Sequence, residues 1–163
     1  MAENTPPPQR QVLLQRIYLK DASLEVPLAP QVFARPWNPK MDVEIGTSAN
    51  ALGDNLYQVT LKVTVTAKLD ENAVGFLVEV QQAGVFQLQG FANERETQAV
   101  LAGHCPGVVF PFARETVADL VQRGGFPPLL LQPINFEALF AEYAARAQAG
   151  AGKPDDGGIA HVQ

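Results

Sequence analysis

The sequence is poor in the residues that carry most metal and redox chemistry. One cysteine, Cys105, and two histidines, His104 and His161, stand among 163 residues. An internal disulfide is therefore excluded, and an ordinary Cys/His zinc set is out of reach. Long apolar runs are missing too: no stretch approaches the roughly 18 apolar residues of a membrane span. Met1 to Arg10 carries Glu3 and a proline run where an export signal would place its apolar core. Cationic residues are outnumbered, 12 Lys and Arg against 17 Asp and Glu, for a net charge of −5. With no local basic patch, phosphate backbones and anionic membrane surfaces are disfavoured. Neither GxGxxG nor GxxxxGK[ST] occurs, so Gly103, Gly124 and Gly125 belong to no phosphate cradle. These absences predict a soluble, unexported, cytoplasmic protein with no cofactor, no metal, no nucleic-acid partner and no direct membrane insertion.

What is present is core-forming. Hydrophobic residues make up 47% of the chain and charged ones 18%, enough for one compact domain with a real core and too little length for two comfortable ones. Residues 1–11, with Pro6, Pro7 and Pro8, read as a disordered arm. Residues 149–163, rich in Gly and Asp, read as a disordered tail. The folded body is then residues 12–148.

The clearest periodicity runs from Tyr57 to Leu69, where Tyr57, Val59, Leu61, Val63, Val65, Ala67 and Leu69 alternate with Gln58, Thr60, Lys62, Thr64, Thr66 and Lys68. Strict alternation rich in Val and Thr specifies a long strand with one face buried. After the turn Asp70-Glu71-Asn72, a second strand spans Val74 to Leu88, with apolar residues on both faces. Ile17 to Glu25 and Met41 to Thr47 supply two more. Between them, Pro27 to Pro39 is an irregular crossover. Past Gly90 the period becomes helical. Asn93 with Glu96 forms a capping-box pattern for a helix that Pro106 interrupts near Cys105. A second helix is expected from about Pro111 to a stop at Gly124. A third begins at the Asn135 cap and runs to about Ala147, with Phe136, Leu139, Phe140 and Tyr143 in one stripe. The fold class is α+β: a four-stranded antiparallel sheet with helices packed on one face.

Few constellations carry chemistry. His104 and Cys105 are neighbours on a helix, where adjacent side chains diverge and do not face one another; the thiol reads as a small hydrophobe at a helix break. Asp21 and Glu25 share one side of a strand and read as a solvated acidic face, there being no apolar pocket to split their pKa values. The crossover places Phe33 and Trp37, the only tryptophan, among Pro27, Pro30, Pro36 and Pro39. Two readings stand side by side: the rings close the edge of the core, or they wall a groove for apolar ligands or extended peptides.

Two blocks, Gly75-Phe76-Leu77-Val78-Glu79-Val80-Gln81-Gln82-Ala83-Gly84-Val85-Phe86 and His104-Cys105-Pro106-Gly107-Val108-Val109-Phe110-Pro111-Phe112-Ala113-Arg114-Glu115, closely resemble the bacterial SecB family of protein-export chaperones. Ile17-Tyr18-Leu19-Lys20-Asp21, Ala29-Pro30-Gln31-Val32-Phe33 and Pro133-Ile134-Asn135-Phe136-Glu137-Ala138-Leu139-Phe140 are similar to the same family, and the likeness spans about Gln15 to Tyr143. The resemblance implies a homotetramer, a dimer of dimers, that catalyses no reaction, holds unfolded precursor proteins without ATP and passes them to the export motor SecA. It implies an acidic surface for the zinc-carrying C-terminal tail of SecA at Asp21, Glu25, Leu77 and Glu79. It implies a client-peptide groove at Phe33, Trp37, Met41, Val43 and Ile45, with Phe136, Phe140 and Tyr143 on the helix side. It implies an oligomer interface at Val78, Val80 and Gln82, where Val78 stands in place of a Cys frequent in relatives. Without the resemblance, the alternative is a soluble carrier of a small apolar ligand or lipid in a Trp37-lined cavity.

Overall fold

A computed structural model describes residues 5–150 and, as backbone, 159–162. The outer parts of both expected tails, residues 1–4, 151–158 and 163, lie outside the described residues. Four long strands, β1 (Gln11–Glu25), β2 (Lys40–Gly53), β3 (Leu56–Asp70) and β4 (Ala73–Gln89), form an antiparallel sheet in the spatial order β1-β4-β3-β2. A helical stretch follows: α1 (Glu94–Ala99), a π-helical turn (Val100–His104), α2 (Cys105–Arg123), then α3 (Phe136–Ala149). A short β5 (Ile159–Val162) pairs antiparallel with β2. The sheet thus has five strands where the pattern predicts four, and residues 159–162 take strand backbone where the composition predicts a disordered tail. Composition misses this because a short strand draws its order from donors and acceptors on the edge it joins.

The alternation of β3 translates directly into burial. Val59, Leu61, Val63, Val65 and Ala67 are all fully buried, and their β4 partners on the same face, Val80, Val78 and Phe76, are fully buried too. On this face α2 sets Cys105, Val109, Ala113, Val117 and Val121 into one continuous core. The opposite face carries Lys62, Thr64, Thr66, Glu79 and Gln81 and is open, apart from the paired Thr60 and Ala83, both buried, with Tyr18 on the other side of Ala83 in the register.

β1 begins at Gln11, six residues before the alternation predicts. Register shifts at Leu14/Arg16 and Leu19/Asp21 explain the miss, because each bulge slips the chain to the other face and breaks period-two reading. β2 likewise runs on to Gly53 through small and polar residues. It joins β3 through Asp54 and Asn55, both at positive φ (54° and 61°), the pair of left-handed residues a tight hairpin needs. At the β3–β4 turn, Asp70 Oδ1 accepts the Asn72 backbone N–H at 2.8 Å, which holds its carboxyl below the ordinary carboxylate range.

The helices differ from expectation at the prolines. Asn93 Oδ1 accepts the Glu96 N–H at 3.0 Å, and the Glu96 carboxylate accepts the Ala92 N–H at 3.1 Å, so the N-terminal cap is as predicted. Pro106 does not end the helix: the chain stays helical from Glu94 to Arg123. The π turn widens the helix just before Pro106, which has no N–H to give to the preceding turn. Pro111 lies inside α2, and the residue its ring would crowd, one turn earlier, is Gly107, which has open space around it. Asn135 caps α3 as predicted, its Oδ1 accepting the Ala138 N–H at 3.0 Å.

Candidate functional site

The helix-side face carries an aromatic cluster around Phe76 of β4. The crossover, Val26 to Pro39, folds around a 3-10 turn at Gln31–Ala34 anchored by the buried Val32. Arg35 ties it to the sheet, with Nη2 at 3.4 Å from Asp70 Oδ2. Trp37 stacks on Phe126 at 4.5 Å and on Phe76 at 5.9 Å, and Phe33 lies 5.4 Å from Phe126. Two glycines make room. A Cβ at Gly75 would stand 2.7 Å from the Trp37 ring, and one at Gly125 would stand 3.0 Å from Phe33.

Phe126 is the member that the sequence reading missed. It sits two residues past Gly124, where its N–H bonds the Val121 carbonyl at 3.3 Å and the Gly125 N–H bonds that of Gln122 at 3.0 Å. This is a Schellman ending with Gly125 at φ +89°, a motif that sets an apolar residue at Phe126's position back against the helix. Gly-Gly-Phe after an amphipathic helix was the available signal.

The residues assigned to the groove separate. Phe33 stays 53% exposed, while Trp37, Met41 and Val43 are half-buried and pack against the helix-side core. Ile45 and Phe136, 3% and 4% exposed, are core residues. Phe136 stands edge-on to Phe110 at 5.8 Å, near the start of α2. That is about 20 Å along the helix from the Phe126 end, so Phe136, the half-buried Phe140 and the exposed Tyr143 do not join the Trp37 cluster as one wall. Phe136 lines a second cleft, of about 580 Å³, together with Gly103, His104, Val108 and Ile134.

The acidic set holds together. Asp21, Glu25, Leu77 and Glu79 all lie on the open face, with Glu25 opposite Leu77, Ser23 opposite Glu79 and Asp21 opposite Gln81. Glu79 is not a bare charge. Its Oε1 lies 3.0 Å from Lys62 Nζ and accepts the Thr64 hydroxyl at 3.3 Å.

The assigned interface needs correction. Val78, Val80 and Gln82 are buried at 0%, 0% and 4% exposure and point toward the helices inside one chain. The reason is parity: β4 is an inner strand, and its even positions belong to the covered face. Gln82 Oε1 has no hydrogen-bond partner among the described residues. Cys105 is buried, with its thiol pushed up to about 12 by loss of hydration, while His104 is exposed, so the pair forms no nucleophile and base. Among the described residues no group of three His, Cys, Asp or Glu could hold a metal, and no helix is long and apolar enough to cross a membrane.

Fold and site define an open-faced α+β binding protein: a sheet with helices on one side, an aromatic-bordered apolar surface and a separate acidic face. The sequence profile of the family described as "Preprotein translocase subunit SecB" matches residues 5–147. The chain is 45% identical to the protein-export protein SecB of Methylococcus capsulatus over 148 residues, 91% of this chain and 94% of that one. It is 50% identical to that of Chromobacterium violaceum over 138 residues, covering 84% and 91% of the two chains. The chain belongs to the SecB family of protein-export chaperones. A SecB-like chaperone of Mycobacterium tuberculosis, solved with a ChAD peptide from an antitoxin, shares the fold at a TM-score of 0.63 and 22% identity, over 76% of this chain and 90% of that one.

Proposed function

We propose that this chain is an ATP-independent holding chaperone of the cytoplasm, which binds unfolded precursor proteins, keeps them competent for translocation and delivers them to SecA, with no catalytic step. The observation that carries the reading is the pairing of two surfaces on opposite faces of one sheet. One is apolar, bordered by Phe33, Trp37, Met41 and Val43; the other holds Asp21, Glu25, Leu77 and Glu79. A client can occupy the first while the zinc-carrying C-terminal tail of SecA contacts the second.

Burying one client side chain contributes roughly 1.5 to 3 kcal/mol, so a single groove engaging two or three is offset by ordering costs of similar size. A homotetramer built as a dimer of dimers solves this, because each further engagement of a long client is intramolecular and raises avidity by roughly 10² to 10⁴. The β1 edge supports assembly there: Leu13, Leu14 and Leu19 are 41%, 45% and 49% exposed on a strand that, among the described residues, has no partner on its outer side. Gln82 lies across from Leu19 with its Oε1 orphaned, so Val78, Val80 and Gln82 bear on assembly through the shape of this sheet rather than by direct contact.

The test is a double variant, Asp21→Lys with Glu79→Lys. Binding of the SecA C-terminal tail is expected to fall at least tenfold, the equivalent of about 1.4 kcal/mol, while capture of an unfolded precursor is unchanged. Equal loss of both in an intact oligomer rules out the division of surfaces.

A further inference from the structure

β2 is the outermost long strand at its end of the sheet, and among the described residues four of its positions are paired on the outer edge. β5 pairs there with Ile159 opposite Gly46, Ala160 opposite Ile45, His161 opposite Glu44 and Val162 opposite Val43. The strand comes from this chain's own C-terminal segment, joined to α3 by residues 150–158, nine positions with four glycines. Nine residues reach at most about 30 Å, and a tether of that length holds its end at millimolar effective concentration.

The register says what the strand blocks. On the helix side, Met41, Ala67 and Phe76 form one row across the sheet, and Val43, Val65 and Val78 form the next. Trp37 stacks on Phe76, so the aromatic cluster covers the first row. β5 runs antiparallel from Gly46 toward Val43 and ends opposite the second row, about 7 Å short of the first. An extended polypeptide that pairs along the same edge and continues past Val43 would next pass Met41, whose row leads across Ala67 to Phe76 beneath Trp37. It cannot pair at Val43 to Gly46 while β5 is there.

We propose that Ile159–Val162 is a built-in competitor of client: a short strand that caps the β2 edge when the groove is empty and is displaced when an extended segment of an unfolded protein adds in its place. This rests on the reading of Phe33, Trp37, Met41 and Val43 as the client surface. The physical logic is that a bare edge presents a row of unpaired N–H and C=O groups, a liability on a protein that must also bind strands. A long cap would close the site outright. Among the described residues β5 pairs with four of the strand's 14, so a client that starts elsewhere along β2 displaces it by strand exchange.

A resident competitor lowers apparent affinity by the fraction of time it leaves the site open. Occupancy between about two thirds and nine tenths gives about a 3- to 10-fold effect. The experiment compares the full chain, a truncation lacking residues 151–163, and Ala160→Pro, which keeps the tail but removes a backbone donor and cannot sit in a paired strand. The probe is a fluorescein-labelled synthetic peptide alternating valine with threonine and carrying a phenylalanine at each end, followed by fluorescence anisotropy. Both variants are expected to bind the probe about 3- to 10-fold tighter than the full chain. Without the probe, their amide protons over Val43–Gly46 should exchange faster. A full chain that binds the probe as tightly as both variants overturns the competitor and leaves the chaperone reading standing. No binding by any of the three, in folded oligomers, overturns the chaperone reading and the competitor with it.

Discussion

Trp37 shows how one missing side chain elsewhere makes a site. Its ring lies over Gly75, and a Cβ there would approach the ring to 2.7 Å, inside van der Waals contact. The atom in conflict is at the far end of the indole, so Gly75→Ala is expected to tilt the ring off Phe126 rather than unfold the sheet. Because Trp37 is the only tryptophan, the intrinsic emission should shift to the red in the variant, and client capture should weaken about 2- to 10-fold, the loss of up to ~1.4 kcal/mol of ring contact. Unchanged emission would show that the ring does not rest on that strand. Cys105 gives a second residue-level expectation. Burial raises its thiol from 9.0 to about 12. In the unfolded chain the thiol ionises near 9, so above that pH the unfolded state holds fewer protons and is favoured. Stability is therefore expected to be flat with respect to this group below pH 9 and to fall between 9 and about 12. At pH 8 an aromatic disulfide reagent should leave the native thiol intact and modify it fully in denaturant.

Among the elements, the end of α2 links helix to groove. Phe126 closes the Schellman ending and touches Phe33, Trp37 and Phe76 at 5.4, 4.5 and 5.2 Å. Phe126→Ala is expected to cost about 3 to 5 kcal/mol in urea denaturation and to loosen the crossover at the same time. A loss below about 1 kcal/mol would mean that the ring is not part of the core. β4 supplies the contrasting case. Val80→Arg forces a charge under α2 between Val63 and Ala22, so the expected outcome is loss of the fold, seen as loss of the cooperative transition, before any change of assembly can be measured. A folded variant with altered oligomer size would place Val80 at a subunit contact after all. Elements also explain the uneven legibility of the fold. β3 was plain because every inward residue alternates with a polar one. β1 is half hidden because two bulges reset its parity, and the helix from Glu94 to Arg123 reads as two because Pro106 reads as a break and Pro111 as a new start, where a widened turn and Gly107 accommodate them.

At the scale of the whole molecule, weak sites have to act in number. Purified protein is expected to scatter light as a particle near four times 17.6 kDa, with its size unchanged by Asp21→Lys and Glu79→Lys, since both positions lie on the open face away from the helices. A single-subunit mass with full capture of unfolded precursor would remove avidity from the mechanism. The net charge of −5 acts at this scale too. It keeps a surface with exposed Leu13, Leu14, Leu19 and Phe33 soluble and speeds encounters with cationic partners, so the association rate with a basic client is expected to drop as salt is raised while the dissociation rate changes little.

The sequence by itself determined the strand order in the chain, the inward face of β3, two helix caps and the family, because these depend on periodicity, local hydrogen bonds and residue identity over short spans. The acidic set was legible for the same reason: parity along two strands puts Asp21, Glu25, Leu77 and Glu79 on one face once β1 and β4 pair. Only the tertiary structure decided that Phe126 completes the aromatic cluster, that Ile45 and Phe136 are core, that Val78, Val80 and Gln82 face inward, and that four residues of the C-terminal segment add to the β2 edge. Each of these depends on which surfaces meet across long sequence separations, and burial is a property of the meeting, not of the residue.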